Sequence, residues 1–326
     1  MKKTILVVLL QAICVAGFSR NPPLEELGLG MPFQRANLDV RWTAATNSIP
    51  KTIWVYRTVP MKFSPKVISY LMKLGSFTDK DRTYVNNITN VDALLFVSQN
   101  TAPNLTRQLR VYSLDGVITY SDGRANPRRA TNLSVGVPPE NRILKLTRAI
   151  LPKLGIGSSE LMLKTNGQLR VHFMEDKTEY DVNHSYITNI DSRGVIFTRR
   201  LDGAEVMRNS CRIDLGNHAD IAKIDMTWPK LERDKSYPTA TPEKIMEWIR
   251  EGKAVQQGLP MNVFPIDWPT VKSLTIKEVY LCYLGGDSYH PKEWIYPYVA
   301  LWGVVDTGNG NVDVEIDCPI IDETKL

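Results

Sequence analysis

Residues 139–173 read PENRILKLTRAILPKLGIGSSELMLKTNGQLRVHF, and this stretch decides the predicted fold. Pro139 precedes a run with apolar residues at helical spacing, namely Ile143, Leu144, Leu146, Ile150 and Leu151. Pro152 should end or kink that helix, because proline lacks the backbone N–H. Alternating apolar residues then flank Asn166-Gly167, a pair typical of a tight β-hairpin turn. The stretch therefore predicts one helix followed by antiparallel strands.

The same order occurs twice more along the chain. Ser64-Pro65 is a helix start, apolar residues follow at helical spacing up to Gly75, and Asp115-Gly116 marks a later hairpin. Thr241-Pro242 begins a third helix that ends before Gly252, and Asn309-Gly310 marks the last hairpin. That hairpin should pair residues 299–305 with 312–318, with Val314 and Ile316 inward.

Because the strands are joined by hairpins and not by helices, the sheets should be antiparallel and the fold class α+β. We predict tandem small modules, each one helix packed on an antiparallel β-meander, at residues 51–137, 138–238 and 239–326. Residues 18–50, which contain Asn21-Pro22-Pro23, are predicted to form a loosely ordered leader.

The first 17 residues have the features of a cleavable bacterial signal peptide. Lys2 and Lys3 precede an apolar run, and Ala16 and Gly17 supply the small residues that signal peptidase accepts. The run is too short for a membrane span, which needs about 20 apolar residues. The sequence therefore predicts a secreted or periplasmic protein with no transmembrane segment after signal cleavage.

Export bears on the cysteines, because disulfides form in oxidising compartments. Three cysteines follow the signal, and either three free thiols or one bridge between Cys282 and Cys318 is expected, with Cys211 a buried thiol in both cases.

Composition excludes several classes of function. The formal net charge is +5, part of it in the signal, and this is too weak to indicate nucleic-acid binding. The basic residues Arg124, Arg128 and Arg129 are expected to be solvated in a loop. The sequence contains no Walker or Rossmann glycine loop, so no cofactor is predicted.

Three segments carry a resemblance to a known family: Arg193–Phe197 continuing to Leu201-Asp202-Gly203, Ile224–Pro229, and Val279–Tyr283. With the signal peptide and the helix-and-sheet modules, they resemble PepSY-type domains and related exported regulatory ectodomains, over residues 138–326 at most. The resemblance lies in hydrophobic patterns and transfers no individual functional residue. It implies modules that inhibit or regulate a partner without catalysis.

Catalysis has one candidate motif. Gly285-Gly286-Asp287-Ser288 after a strand is similar to the nucleophile block of the GDSL hydrolases. However, Ser288 and His290 are only two residues apart, whereas a nucleophile and its base normally come from separate segments. A capped turn explains the motif more simply, and no catalytic residue is assigned.

Metal and carboxylate sites are also weakly indicated. His218 and Asp220 offer two ligands in a loop, and a Gly-rich turn carries oxygens at Asp306, Asn309, Asn311 and Asp313 without the spacing of a calcium loop. Asp313, Glu315 and Asp317 alternate with apolar residues, and a strand with one wet face explains them better than a glycosidase pair. We predict no metal site.

The densest aromatic cluster is the candidate binding site, because aromatic side chains are enriched at binding hot spots; it comprises Trp294, Tyr296, Tyr298 and Trp302. Core packing is the other explanation of these rings. Taken together, the sequence predicts an exported non-catalytic binding or regulatory protein of the bacterial envelope that engages a protein, peptide or envelope component. The alternative is an envelope hydrolase acting on polysaccharide or ester.

Overall fold

The computed structural model describes residues 31–45, 49–83, 93–98, 106–125, 135–182, 185–257, 266–286 and 292–321. The predicted signal peptide and the first part of the leader lie outside these ranges, as do Ser288 and His290. Within them the chain is predominantly β-structure, with three α-helices.

The helices are α1 Pro65–Gly75, α2 Glu140–Arg148 and α3 Pro242–Glu251. Their ends follow from local chemistry, and the three predicted helices are confirmed. The Ser64 and Thr241 side chains accept hydrogen bonds from the first-turn backbone N–H groups of α1 and α3, each at 3.4 Å. Gly252 closes α3 with a φ of 80°, a conformation that favours glycine. None of these described helices is long and apolar enough to cross a lipid bilayer.

The strands are, in chain order, β1 Met31–Pro32, β2 Asp39–Trp42, β3 Thr52–Val59, β4 Arg82–Thr83, β5 Ala93–Val97, β6 Arg107–Tyr112, β7 Val117–Asp122, β8 Val171–Val182, β9 Ser185–Leu201, β10 Ala204–Leu215, β11 Ile221–Thr227, β12 Lys230–Pro238, β13 Val255–Gln256, β14 Ser273–Leu284, β15 Trp294–Asp306 and β16 Asn311–Pro319.

The chain divides into two compact units. Residues within 1–54, 236–281 and 297–326 form the first, and residues within 55–235 and 282–296 form the second.

In the first unit, β15 and β16 form the predicted hairpin around Asn309-Gly310. Val299 pairs with Cys318 and Val305 with Val312, so the expected antiparallel register is confirmed. Val314 and Ile316 are buried, and Asp313 is exposed. β13 pairs with β16, and β2 runs parallel to β14. Helix α3 contacts β2 and β16, burying Ile245, Trp248 and Ile249.

In the second unit, the strands follow the antiparallel order β5-β6-β7-β11-β10-β9-β8. Helices α1 and α2 cover one core, in which Val67, Leu71 and Ile143 pack with sheet residues such as Leu109 and Phe197. The β6–β7 hairpin at Asp115-Gly116 confirms a predicted turn, and a second hairpin joins β9 to β10 at Asp202-Gly203.

The predicted α+β arrangement of tandem helix-on-meander modules is wrong. β7, from the first predicted module, pairs with β11 from the second, and β10 pairs in parallel with Cys282–Leu284 of β14, from the third. The result is a mixed, antiparallel-rich sheet system. The physical reason is that a short meander leaves edge strands with unpaired backbone groups, and these edges pair with strands distant in sequence.

The three described cysteines are thiols, which is one of the two expected outcomes. Cys211, Cys282 and Cys318 are all buried, and none forms a disulfide. Burial raises the pKa of the Cys211 and Cys318 thiols, so both stay protonated and pack as small apolar groups.

Strand β16 buries one carboxyl group that alternation had placed on a wet face. Asp317 is only 3% exposed, whereas Asp313 is exposed and Glu315 partly exposed. Desolvation and the neighbouring Glu315 charge raise the pKa of Asp317 to about 8, against the opposing hydrogen bond donated by the Gln257 amide. The second Asp317 oxygen, Oδ1, has no hydrogen-bond partner among the described residues. Asp317 is therefore protonated in the folded protein at neutral pH.

This pKa makes stability depend on pH. Since the folded state holds the proton more tightly than the unfolded state, this group stabilises the fold at low pH and loses that contribution as pH rises from about 4 to about 8. We expect the loss to approach about 1.4 kcal/mol per pH unit at most. The Asp317→Asn variant should lack this part of the slope in denaturant unfolding measured between pH 5 and 8. Equal slopes in the two proteins would contradict the assignment.

Candidate functional site

The four aromatic residues predicted to bind a ligand lie on β15 in different environments. Trp302 is 45% exposed and is cross-strand to Glu315, whereas Tyr298 is 2% exposed. Trp294 and Tyr296 are partly buried and belong to the second unit, while Tyr298 and Trp302 belong to the first. A binding role for this cluster stays a prediction, and Tyr298 has the burial of a core residue.

The other sequence candidates divide between described and undescribed residues. Ser288 and His290 lie outside the described ranges. In the turn after β15, Asp306 Oδ1 accepts from Gly308 N at 2.7 Å, as in an ordinary polar turn. Across the described part of the chain, no group of three or more His, Cys, Asp or Glu side chains is arranged to hold a metal ion.

A different feature of the second unit stands out, a long pair of strands at the edge of the sheet. β8 and β9 pair antiparallel from Val171–Phe197 to Val182–Ser185, but β10 pairs with β9 only from Arg193 to Leu201. Among the described strands β8 has no other neighbour. We call residues 171–182 and 185–197 the β8–β9 ribbon. Its outer strand, 12 residues long, is exposed at most of its positions.

The ribbon exposes large apolar side chains. Tyr186 is 78% exposed, Phe173 44%, Ile187 42% and Met174 37%. These are four of the eight exposed large apolar residues in the described chain, so half of their number lies on one hairpin. Phe173 and Met174 lie near one end of the ribbon, opposite Val195 and Gly194, and Tyr186 and Ile187 lie near the other end, opposite Asp181 and Tyr180. Exposed apolar side chains concentrated on one edge hairpin favour an interaction site there.

Polar side chains, in contrast, are buried on the ribbon. Asp191 and Ser192 are each 1% exposed, and Asn189 is 9% exposed. Asn189 Nδ2 donates to Asp191 at 2.6 Å, and the Thr178 hydroxyl also donates to Asp191. Asp191 is the extra residue of a β-bulge, because Asp176 pairs with Ser192 and Lys177 with Ile190. The bulge therefore directs a carboxylate into a hydrogen-bonded, buried position.

Arg212 on β10 is linked to the buried ribbon residues through Asp176, which also accepts a hydrogen bond from the Ser192 hydroxyl. Its Nε donates to both oxygens of Asp214, at 2.8 and 2.9 Å, and its Nη2 reaches Asp176 at 3.3 Å. Asp214 is 1% exposed, and burial raises its pKa although the Arg212 hydrogen bonds lower it. The ion pair thus holds a buried carboxylate at the base of the ribbon.

Gly194 permits this packing. A Cβ atom at this position would lie 1.9 Å from Asp214 Oδ1, so only glycine allows the carboxylate to approach β9. At the ribbon surface, Arg193 Nε donates to Glu175 at 2.5 Å, and Lys177 pairs with Glu175 at 2.7 Å. The Lys177 and Arg193 hydrogen bonds lower the pKa of Glu175. Polar contacts therefore fix the register of β9 against β10, through Asp214, and against β8, through Glu175.

Sequence reasoning missed this site. It placed Phe173 among the alternating apolar residues that flank Asn166-Gly167. That turn is present, with a bridge between Leu163 and Leu169 and a hydrogen bond from Lys164 N to Gln168 O at 2.7 Å, but Phe173 itself pairs with β9. The available signal was the segment Tyr186–Ser192, in which aromatic, β-branched and hydrogen-bonding residues mix without a clean period of two. That irregularity corresponds to the bulge.

Comparison with known proteins adds no function. No family model matches this chain, and no curated protein matches it. The crystal structure of an uncharacterized protein from Eubacterium rectale is similar with a TM-score of 0.44 and 10% sequence identity, covering 90% of this chain and 93% of that one.

Proposed function

We propose that this chain is an exported, non-catalytic binding protein that regulates or engages a protein partner through the β8–β9 ribbon. One observation carries the proposal: the ribbon buries Asn189, Asp191 and Ser192 while it exposes Phe173 and Tyr186. An exposed apolar surface costs solubility, and a partner that covers it offsets that cost. Export rests on the signal-like residues 1–17, and the regulatory role accords with the PepSY resemblance.

The mode of binding follows from the edge strand. An extended segment of the partner adds alongside β8, with main-chain hydrogen bonds for affinity and alternate side chains for specificity. Glu179 and Asp181 are exposed near the end of β8, whereas Glu175 is neutralised by Lys177 and Arg193. Charge complementarity therefore favours a partner strand that carries basic as well as apolar residues.

The hydrolase alternative gains no support from the described residues. Ser288 lies outside them, and the Asp317 carboxyl is buried in the first unit. The binding proposal needs no residue outside the described ranges.

A selection experiment tests the proposed function. Random peptides of 12 residues, the length of β8, are displayed and selected on the folded protein. We expect enrichment of apolar, basic sequences of high β-propensity, and loss of about tenfold or more in affinity for the Phe173→Ser variant, because buried aromatic anchors dominate binding energy.

The matched control is Tyr280→Ser, which removes an aromatic ring of similar exposure, 46%, from β14. It should leave affinity unchanged. Selection that enriches no peptide, or peptides that bind both variants as tightly as the wild type, would overturn the proposal. Circular dichroism verifies that both variants are folded.

A further inference from the structure

A second site lies in the same unit and shares no residue with the ribbon. A pocket of about 380 Å³ opens beside the end of β7 and the turn between β10 and β11. Its polar lining includes Asp122, Arg124, His218 and Asp220, and its apolar wall includes Leu74 and Ile221. The volume is at the small end of the range for ligand sites, roughly 300–1,000 Å³. We infer that this pocket binds a small organic cation, a primary ammonium group on a short apolar stem, with Asp220 as its counter-ion.

One of the two carboxylates that line the pocket, that of Asp122, is already neutralised by Arg124. Asp122 is 6% exposed and accepts from Arg124 Nε at 3.0 Å, from Arg124 Nη2 at 2.6 Å and from Arg124 backbone N at 2.9 Å. The Tyr120 hydroxyl lies 3.3 Å from the same carboxylate. Because Arg124 uses two of its three nitrogens on Asp122, its charge is matched inside the protein. An anionic ligand would have to compete with that ion pair.

Asp220 supplies the remaining negative charge. It is exposed at the pocket, and its charge raises the pKa of Arg124 less than the hydrogen bond between Arg124 and Asp122 does. The formal balance of Asp122, Arg124 and Asp220 is therefore one negative charge. A carboxylate at the mouth of a partly apolar pocket attracts a cation more strongly than an exposed carboxylate does, since the local dielectric constant is lower.

The turn that carries Asp220 is held in one conformation. His218 and Ala219 have φ of 54° and 63°, a pair of left-handed residues without glycine. Such conformations persist only where the surroundings enforce them. Here His218 N donates to Val135 O at 2.8 Å, and Asn217 N donates to Ala125 O at 2.7 Å. Gly216 packs so closely that a Cβ would lie 1.8 Å from Ala125 O.

The Asn217 side chain completes this arrangement. Its Oδ1 accepts from Val135 N at 2.7 Å, and its Nδ2 donates to Arg124 O at 3.2 Å. One amide thus connects the turn to the segment that supplies the Asp122–Arg124 pair. Both polar sides of the pocket are fixed before a ligand arrives, which reduces the ordering cost of binding.

Three probes of the same shape test the inference: n-pentylamine, n-pentanol and pentanoate differ only in the charge of the head group. In an NMR-detected titration we expect the amine to bind, to shift the His218 ring signals, and to bind more weakly at higher salt. Pentanol and pentanoate should bind at least about tenfold more weakly, as expected for the loss of one ion pair of about 1.4 kcal/mol.

Asp220→Asn should weaken amine binding by about tenfold or more. Asp225→Asn is the matched control, because Asp225 lies on β11 in a surface pair with Lys223 at 3.6 Å and does not line the pocket. It should leave binding unchanged. Preferential binding of pentanoate, binding of no probe, or equal affinity in wild type and Asp220→Asn would overturn the inference. Because Asp220 is exposed, Asp220→Asn should fold like the wild type, and circular dichroism checks that it does.

Discussion

Replacing Arg212 with leucine should lower the free energy of unfolding by about 3–5 kcal/mol, the cost of leaving a buried carboxylate without its partner. Asp214 is 1% exposed and receives both of its Arg212 hydrogen bonds within 2.9 Å. In the variant Asp214 must take up a proton to remain buried, so the loss should grow as pH rises. Denaturant unfolding at two pH values measures it.

Two controls separate this effect from a general loss of charge. Arg41→Leu removes a surface pair with Asp39, in which both side chains are more than half exposed, and should cost less than about 1 kcal/mol. The double variant Arg212→Leu with Asp214→Leu should recover much of the stability, because two apolar groups need no partner. A double variant no more stable than Arg212→Leu would show that Asp214 is not the source of the cost.

The second large effect concerns the hairpin of the first unit. Ile316 is fully buried and pairs with Leu301. Ile316→Asp should cost about 3 kcal/mol or more, since it places a charge in the core without a partner. Calorimetric melting temperatures of the purified variants provide the measurement.

Glu315→Lys is the matched control one residue away, because Glu315 lies on the other, partly exposed side of β16. It should shift the melting temperature little, and by lowering the pKa of Asp317 it should weaken the pH dependence described above. Equal melting temperatures for Ile316→Asp and Glu315→Lys would mean that the register is wrong.

Local structure could be predicted where chemistry acts within a few residues. Ser64-Pro65 and Thr241-Pro242 begin helices through a side-chain cap and a preset φ, and both helices occur as predicted. Asn309-Gly310 and Asp115-Gly116 form the predicted hairpins, because their turns need positive φ. The pairing of strands that are adjacent in sequence could therefore be predicted.

Pairing between distant strands could not be predicted in the same way. Nothing in the Val279–Tyr283 pattern indicates that Cys282–Leu284 of β14 run parallel to Glu205–Met207 of β10. Apolar alternation identifies which face of a strand is buried, but every strand with that alternation is an equally suitable neighbour. The prediction of tandem modules paired only strands adjacent in sequence, so it missed the pairing of β10 with β14.

The candidate sites were missed for a related reason. Asp176, Asp191, Arg212 and Asp214 are separated along the chain, and only the β8–β9–β10 pairing brings them together. Aromatic density favoured the β15 cluster, whereas Phe173 and Tyr186 are single aromatic residues on two strands. The pocket depended equally on tertiary structure, although His218 and Asp220 had been noted as polar ligands within one loop.

Amide hydrogen exchange along β8 tests the ribbon proposal most directly. In the free protein, the amides of residues 171–182 that do not bond to β9 should exchange fast, because no described strand pairs with that edge. Addition of a selected extended peptide should slow those amides by about tenfold or more, as new main-chain hydrogen bonds form. Unchanged exchange along β8, with protection appearing elsewhere in the chain, would contradict the proposal that the β8–β9 ribbon is the partner-binding surface.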